Sequence, residues 1–452
     1  MRFQISVVSD RLVAVVQFGS LGRNYTRDSM FNLMFKKFLS QIVALCLLGL
    51  CHVRANDVHP IISVTSPPYC SDIQGDTEIR VSAPGQKHVE VECWQAGEGY
   101  GSEARVGTIE IDDGGKGSIK FPADDFPHGP ITITLSCPDD DCYLQVYNKG
   151  GKPWNEGIPK NDPPGAKGMK LVYSDDFSTP LDSTIISSKE SGSRYYDHKP
   201  PHGTQDFSSI PFRGYTDTND PFSQVDTYLR IRCDAKKGST GLISSENDEN
   251  TSFKIGAPCY FECRFIAPNF RGSWPAFWLL SDYMAPGKDP DKDPCDELDI
   301  IEAFGGEGPD SPNAKDLYCI TPHAWNQEAL KKQVDKYFKD MGNPVSPRMK
   351  GIPSTWCRTF HTYGVRIMPD VTTYYYDNVE MCHHKTLPIS QKYPLFFLIN
   401  LATGGGWPVD LSRYGKGDMY VDWVRVYGTD ASPREVPKDN KAAANDPNAS
   451  HL

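Results

Sequence analysis

The sequence lacks three features that would indicate common classes of protein. Basic residues are not in excess: 47 Lys and Arg stand against 58 Asp and Glu, a formal net charge of −11. Nucleic acids and anionic membranes attract basic surfaces, so we expect neither as a partner. The cysteine spacings match no zinc-binding pattern. Helical periodicity is also rare, because only residues 328–341 show it.

Long apolar runs are scarce, and the longest, residues 38–51, lies near the start. Two lysines precede the run and a short polar segment ending at Ala55 follows it, a pattern typical of a signal peptide. We predict residues 1–55 to be an upstream extension and signal peptide cleaved near Ala55. The run is too short to span a bilayer comfortably, so no membrane-spanning segment would remain in a secreted or periplasmic chain. A lipoprotein signal at Cys51 and a buried core helix are the alternatives.

Aromatic and turn-forming residues are abundant. Aromatics make up 11% of the 452 residues, beside 38 Gly and 36 Pro, and this combination favours short strands. The 38% of hydrophobic residues suffices for a packed core, and the length allows two to four domains. We therefore expect an all-β fold.

Alternation of apolar and polar residues divides the chain into regions. Residues 56–150 contain seven short strand patterns, which predict a small immunoglobulin-like β-sandwich serving as an accessory domain. Residues 151–168 are rich in Gly and Pro and are predicted to be a linker. Residues 169–428 are dominated by strands and predict one large two-sheet sandwich. Residues 429–452 are polar and predict a disordered tail.

Eleven of the 13 cysteines would remain after removal of the signal peptide. An exported protein can form disulfides, but the spacings do not specify which cysteines would pair. Seven of the eleven lie in the large domain, and because seven is odd, at least one would stay a thiol or pair elsewhere.

An acidic stretch, residues 296–302 (DELDIIE), carries the chemistry. On a strand, Glu297 and Asp299 share one face, and one extra residue, a β-bulge, would bring Glu302 to it. Such a row suits a retaining glycosidase, in which one carboxylate attacks the anomeric carbon and a carboxylic acid protonates the leaving oxygen, about 5–5.5 Å apart. Asp299, between the two glutamates, would hold a hydrogen bond and adjust the ionisation of both. The alternative is a solvated acidic strand edge, because the short motif alone is weak.

Around this stretch the chain resembles glycoside hydrolase family 16, the laminarinase, lichenase, agarase and carrageenase group. The resemblance covers most of residues 170–428 and rests on blocks in the family's order: WPAFWLL from Trp274, FHTYG from Phe360, NLATGGGW from Asn400 and VDWVRVY from Val421. It implies a concanavalin-like β-jelly-roll with the substrate cleft along the concave sheet. It further implies Glu297 as nucleophile, Asp299 as assisting carboxylate and Glu302 as acid/base, in the bulged, laminarinase-type branch.

The resemblance also implies further site residues. Trp274 and Trp407 match sugar platforms, although Trp407 would serve equally as a core residue. His323 matches a cleft histidine and Asn400 a cleft asparagine; the alternatives are a loop histidine and a strand cap. Asp422 matches a ligand of a possible structural calcium, or is an ordinary strand-edge aspartate. Catalysis needs no cofactor.

The function that follows is a secreted, monomeric, retaining endo-glycosidase acting on a β-linked polysaccharide, with a β-1,3-glucan of laminarin type favoured. A β-galactan such as agar, porphyran or carrageenan is the alternative substrate, and a non-catalytic lectin-like binder is the alternative function. The chain departs from the family pattern in the enlarged segment between Cys319 and Cys357, which would lie over one end of the cleft and leaves the substrate open.

Overall fold

The computed structural model describes residues 2–8, 11–17, 60–95, 101–154, 157–187, 192–200, 207–247, 253–281, 294–306, 317–341, 344–352, 356–432 and 434–435. It contains two compact units, Met1–His59 and Pro60–Leu452. In the first unit, β1 (Arg2–Val8) pairs antiparallel with β2 (Arg11–Gln17). The predicted signal peptide lies outside the described residues. Within the described chain, no helix is long and apolar enough to cross a membrane.

A small β-sandwich opens the second unit. Its strands are β3 (Ser63–Ser66), β4 (Asp72–Ile73), β5 (Asp76–Ser82), β6 (His88–Gln95), β7 (Ser102–Glu110), β8 (Lys116–Pro122), β9 (Gly129–Cys137) and β10 (Asp140–Asn148). Among the described residues they form two sheets, ordered β4-β10-β9-β6-β7 and β3-β5-β8. Alternate residues such as Val89, Val91 and Cys93 fill the core between them. The seven predicted strand patterns all form strands here, and the immunoglobulin-like topology stays a prediction.

The large domain contains two larger sheets and one α-helix in its described part. The elements are β11 (Lys170–Asp175), β12 (Ile186–Ser187), β13 (Tyr195–Tyr196), β14 (Phe222–Val225), β15 (Tyr228–Asp234), β16 (Leu242–Ser244), β17 (Lys254–Ile255), β18 (Cys259–Ile266), β19 (Ser273–Ser281), β20 (Cys295–Glu302), β21 (Cys319–Trp325), α1 (Glu328–Met341), β22 (His361–Ile367), β23 (Val371–Tyr376), β24 (Val379–Lys385), β25 (Leu395–Thr403), β26 (Lys416–Gly428) and β27 (Arg434–Glu435). The helix covers the residues that the periodicity predicted.

The two sheets pack face to face around one apolar core. As described, the eight-stranded sheet runs β14-β15-β26-β18-β22-β23-β24 with β11 beside β26, and the nine-stranded sheet runs β12-β13-β16-β25-β19-β20-β21 with β17 and β27 attached. Inward-facing residues of both sheets meet, among them Phe261, Phe277 and Phe397. The strand-rich sequence is therefore folded as the predicted two-sheet sandwich.

The small sandwich packs on the outer face of the eight-stranded sheet. Tyr147 from β10 joins an apolar cluster with Tyr228, Ile266 and Tyr420. These three residues alternate along their strands with core residues such as Val421, so they lie on the face opposite to the core. The sheet is consequently covered on both sides.

The side chain of Gln145 in the small domain forms two hydrogen bonds with the backbone of Asp418 in the large domain, as a paired strand would. The Gln145 side-chain amide donates to the Asp418 carbonyl at 2.6 Å, and its oxygen accepts the Asp418 backbone N–H at 2.8 Å. Both residues are buried. The small domain is thus bound to the large one by buried polar contacts as well as by apolar ones.

The segment predicted to be a linker lies against the same outer face in its described part. The Arg366 guanidinium donates to the Gly165 carbonyl at 2.5 Å. The Tyr260 ring packs so closely on Gly165 that a Cβ there would lie 2.3 Å from it. Gly165 therefore serves close packing within the linker.

The described structure also covers the start of the predicted tail and the cysteines. The region after residue 428, predicted to be disordered, includes β27, which pairs with β17; residues 436–452 lie outside the described part. Eight of the eleven cysteines expected in the mature chain are buried.

We predict that Gln145→Ala lowers the free energy of unfolding by about 2 kcal/mol, because it leaves the Asp418 N–H and carbonyl buried without partners. Urea denaturation would measure the change. Gln74→Ala, at an exposed position of the same domain, is the control and should be neutral. Equal effects of both substitutions would show that the Gln145 contacts do not bind the two domains.

Candidate active site

The acidic stretch forms β20, and a β-bulge in it brings three carboxyl groups to one face. The pairing of β20 with β19 goes from Ile301 opposite Phe277 directly to Asp299 opposite Trp278, so Ile300 is the extra residue. The pairing with β21 shifts at the same place. The predicted bulge is therefore present between Asp299 and Glu302.

Apolar burial explains why the strand bulges there. Leu298, Ile300 and Ile301 are all at most 1% exposed and belong to the core between the sheets. Two consecutive isoleucines can both face the core only if the backbone accommodates an additional residue. The bulge thus places Glu297, Asp299 and Glu302 together on the outer side of the nine-stranded sheet, which we call the acidic face.

Strand β21 completes the acidic face beside β20. Its burial alternates, so that Cys319, Thr321, His323 and Trp325 lie outward and the residues between them are buried. In the register of the pair, His323 lies opposite Glu297. The face is thus built from two neighbouring strands of one rigid sheet.

Glu297 is held by the ring at the end of β21. The Trp325 indole N–H donates to its Oε2 at 3.0 Å. Trp325 stacks on His323 with ring centroids 4.8 Å apart. The carboxyl side chain keeps 17% of its surface exposed, so its second oxygen is accessible to a ligand from outside.

Asp299 lies deeper, between the two glutamates. It is 3% exposed. The His323 Nε2 atom is 3.3 Å from its Oδ2 and 4.0 Å from Glu297 Oε1. Burial lowers the pKa of His323 to about 4, so the imidazole is neutral at neutral pH. His323 therefore lies beside the two carboxyl groups as an uncharged ring, and its predicted contact with substrate stays a prediction.

Glu302 also accepts a hydrogen bond from a tryptophan, but from a different one. The Trp274 indole N–H donates to Glu302 Oε1 at 3.1 Å. Trp274 stacks against Phe304, with centroids 5.5 Å apart, and meets Phe207 edge-on at 5.4 Å. Gly405 approaches this pair so closely that a Cβ would lie 2.6 Å from Phe304. An aromatic wall thus flanks the acidic face on the Glu302 side.

The three carboxyl groups titrate together and at raised pH. Burial raises the pKa of Glu297, of Asp299 and of Glu302, and repulsion from Glu302 raises the pKa of Glu297 and of Asp299 further. Hydrogen bonds act the other way: the Trp325 donor lowers the pKa of Glu297, and the Trp274 donor lowers that of Glu302. The cluster therefore retains protons at a pH at which isolated carboxyl groups would lose them.

One group of three side chains among the described residues could share a metal ion: Glu297, Asp299 and His323, whose ligand atoms lie within 4.8 Å of one another. A cation there would occupy the free oxygen of Glu297. Nothing in the arrangement requires a metal, and we assign none.

Two predicted substrate contacts fare differently. Trp407 is 43% exposed, so its ring is accessible from outside, and its role as a sugar platform stays a prediction. Asn400 is wrong as a substrate-binding residue, because it is fully buried in β25. Its oxygen accepts the Trp278 indole N–H at 2.7 Å and its amide donates to the Trp274 carbonyl at 3.2 Å. Asn400 therefore supports the strand that carries Trp274.

Asp422 does not fit a calcium ion. It is fully buried, its Oδ2 pairs with the Arg264 guanidinium, and it accepts the Gly157 backbone N–H at 3.1 Å. A guanidinium on the carboxylate repels a cation and takes the lone pairs that a calcium ion would need. The prediction of a calcium site at Asp422 is therefore wrong for this structure.

Sequence reasoning missed three aromatic residues of this site. Trp325, Phe304 and Phe207 were not assigned roles. For Trp325 a signal existed: it follows His323 by two residues, so on a strand both must share a face. Phe207 had no such signal, because its contacts with Trp274 join segments far apart in the sequence.

Comparisons with known proteins agree with this geometry. Residues 214–425 match the family described as glycosyl hydrolases family 16. The match lies within the large domain, which is thereby identified as a family 16 domain. The all-β jelly-roll fold predicted for the family 16 domain is confirmed by its two packed sheets.

Two curated relatives are endo-1,3-1,4-beta-glycanases of Rhizobium meliloti. EglC is 30% identical over 226 residues, which cover 48% of this chain and 41% of that protein. ExsH is 30% identical over 174 residues, which cover 38% of this chain and 30% of that protein. The chain thus spans less than half the length of the curated relatives it matches.

Solved structures similar to the family 16 domain include two glucanases. The laminarinase from Flavobacterium sp. UMI-01 is 21% identical, with a TM-score of 0.40 over 57% of this chain and 100% of that chain. The endo-beta-1,3-glucanase from Pyrococcus furiosus is 22% identical, with a TM-score of 0.42 over 57% of this chain and 94% of that chain.

We predict that Asn400→Leu lowers the free energy of unfolding by about 2 kcal/mol, because the Trp278 indole N–H loses its buried acceptor. Chemical denaturation measures this. Trp407→Ala, at an exposed position, should change stability by less than about 0.5 kcal/mol. An Asn400 variant of unchanged stability with weakened polysaccharide binding would restore its original assignment.

Proposed function

We propose that the chain is a retaining endo-glycosidase that hydrolyses β-linked polysaccharides. The observation that carries the proposal is the bulge at Ile300, which puts Glu297, Asp299 and Glu302 on one outward face. Each glutamate there has a separate tryptophan donor, so the two are held in different environments on one wall. A pair of carboxyl groups with distinct environments is the arrangement that acid and nucleophile roles require.

In the proposed reaction, the ionised Glu297 attacks the anomeric carbon while protonated Glu302 gives its proton to the glycosidic oxygen. The bond between anomeric carbon and leaving oxygen breaks, and a glycosyl ester forms on Glu297. Glu302, now ionised, then removes a proton from water, whose oxygen displaces Glu297 from the anomeric carbon. Asp299 and neutral His323 remain beside Glu297 throughout and hold its orientation.

Burial raises the pKa of both glutamates, and it raises the pKa of Glu297 to about 7. Each carboxyl group also accepts a hydrogen bond that favours its ionised form, from Trp325 at Glu297 and from Trp274 at Glu302. Burial and these donors therefore do not distinguish the acid from the nucleophile, and the assignment of the two roles rests on the family motif. When either glutamate ionises, the other holds its proton more strongly, because like charges on one face repel.

The favoured substrate remains a β-1,3-glucan of laminarin type. Its support is the family membership, the endo-1,3-1,4-beta-glycanase relatives and the exposed flat rings of Trp325 and Trp407, which suit the apolar faces of pyranose rings. Secretion and the monomeric state remain predictions from the sequence.

We predict that Glu297→Gln and Glu302→Gln each lower polysaccharide hydrolysis at least about 100-fold, because each removes one partner of the displacement. Release of reducing sugar from laminarin, lichenan, agarose, porphyran and carrageenan would measure activity and identify the substrate. Glu110→Gln, at an exposed position of β7 in the small domain, is the matched control and should keep full activity. Polysaccharide binding without hydrolysis in the unmodified chain would instead identify a lectin-like binder.

A second prediction separates the two roles by pH. Trp325→Phe removes a donor from Glu297, so its pKa rises and the acidic limb of the rate profile moves to higher pH by about 1 unit. Trp274→Phe removes a donor from Glu302, so the pKa of the acid rises and the alkaline limb moves up instead. The dependence of kcat/KM on pH shows both limbs. If the two variants move the opposite limbs, nucleophile and acid must be exchanged.

A further inference from the structure

The hydrogen bond from Trp325 to Glu297 on the acidic face is not fixed by side-chain packing alone. Trp325 is 39% exposed, yet its indole N–H is aimed at Glu297 Oε2. The indole stacks on His323, but with so much of its surface exposed, packing fixes its rotamer only in part. The structure must therefore hold Trp325 through the backbone at the end of β21.

That backbone turns sharply directly after Trp325. Asn326 has a left-handed φ of 57°. The next residue, Gln327, directly precedes α1, and its carbonyl accepts the backbone N–H of Leu330 at 3.0 Å and of Lys331 at 2.9 Å. One turn into the helix, the Lys331 ammonium lies 5.3 Å from the centre of the Trp325 ring. The direction of the indole is thus tied to the placement of this turn.

The turn is fastened to the catalytic strand by Asp296. The Gln327 side-chain amide donates to Asp296 Oδ1 at 2.9 Å. From a second segment, Ser390 donates its backbone N–H and its hydroxyl to Asp296 Oδ2, at 2.7 and 3.0 Å. Asp296 is fully buried, and it precedes Glu297 in the chain. One carboxylate therefore joins β20, the start of α1 and the loop before β25.

We propose that Asp296 and Gln327 are positioning residues that hold Trp325 on Glu297, so that the α1 insertion forms part of the catalytic machinery. Glu297 and Asp296 are adjacent, so a shift of the turn relative to β20 directly lengthens the hydrogen bond from Trp325 to Glu297. The enlarged segment that distinguishes this chain would then act on the nucleophile, besides lying over one end of the site.

The groups that face Glu297 determine how this positioning can be measured. They are Asp299 and Glu302 on β20, neutral His323 and Trp325 on β21, and Lys199 after β13, whose charge lowers the pKa of Glu297. A substitution at Gln327 alters none of these groups, but it removes a donor that lowers the pKa of neighbouring Asp296. The double variant with Trp325→Phe is therefore needed to show that a change in the titration of Glu297 comes through Trp325.

The test uses Gln327→Met, which keeps the size of the side chain and removes its amide. We expect it to raise the pKa of Glu297, measured by NMR titration of ¹³C-labelled glutamate, by at least half of the shift produced by Trp325→Phe. In the double variant the shift should equal that of Trp325→Phe alone, because both act on the same hydrogen bond. Asp296→Asn should act in the same direction, but it leaves a buried amide facing the Ser390 N–H, so Gln327→Met is the decisive variant.

Gln391→Met is the matched control. Its amide donates to the Thr386 carbonyl at 3.0 Å in the same loop as Ser390, and its loss should leave the titration of Glu297 unchanged even if stability falls. An unshifted Glu297 in Gln327→Met, or shifts that add in the double variant, would overturn the proposal. So would a Trp325→Phe variant with no shift. The titration does not require hydrolysis, so failure of the proposed function would be recognised separately, by absence of turnover in the unmodified chain.

Discussion

The candidate site depends on one packing constraint: Leu298, Ile300 and Ile301 must all be buried between the two sheets. A regular strand would bury only every second residue, so the second isoleucine forces the bulge. Burial of the two isoleucine side chains contributes several kcal/mol at about 1.5–3 kcal/mol each. This free energy of burial helps to offset the electrostatic cost of three carboxyl groups on one face. The hydrophobic core thus stabilises the strand that carries the candidate catalytic residues.

Two tryptophans then give the two glutamates different surroundings. Trp274 comes from β19 on one side of β20, and Trp325 from β21 on the other, so each neighbouring strand supplies one hydrogen-bond donor. The supports behind them differ in kind. Trp274 rests on aromatic rings and on a strand braced by buried Asn400, whereas Trp325 is exposed and depends on a polar network through Asp296. The two ends of the acidic face would therefore respond differently to substitutions.

What could be predicted from the sequence follows from local periodicity. The bulge was predictable because alternation fails at one definite place in the stretch from Glu297 to Glu302, and α1 was predictable from helical spacing. The burial of individual polar side chains was not predictable, because the partners of Asn400 and Asp422 lie far from them in the sequence. The contact of Gly165 with the large domain was not predictable for a related reason: the Tyr260 ring that packs on it belongs to a distant strand.

The first domain covers the outer face of the eight-stranded sheet, and this limits which side of the molecule a polymer can contact. Tyr147 and Gln145 of the first domain, together with Gly165 of the connecting segment, occupy the side of the large domain that is turned away from Glu297. Between that side and the carboxyl groups lie two full β-layers, about 10 Å apart. For a polymer bound at the proposed site, the first domain would therefore lie on the opposite side of the large domain, away from the polymer.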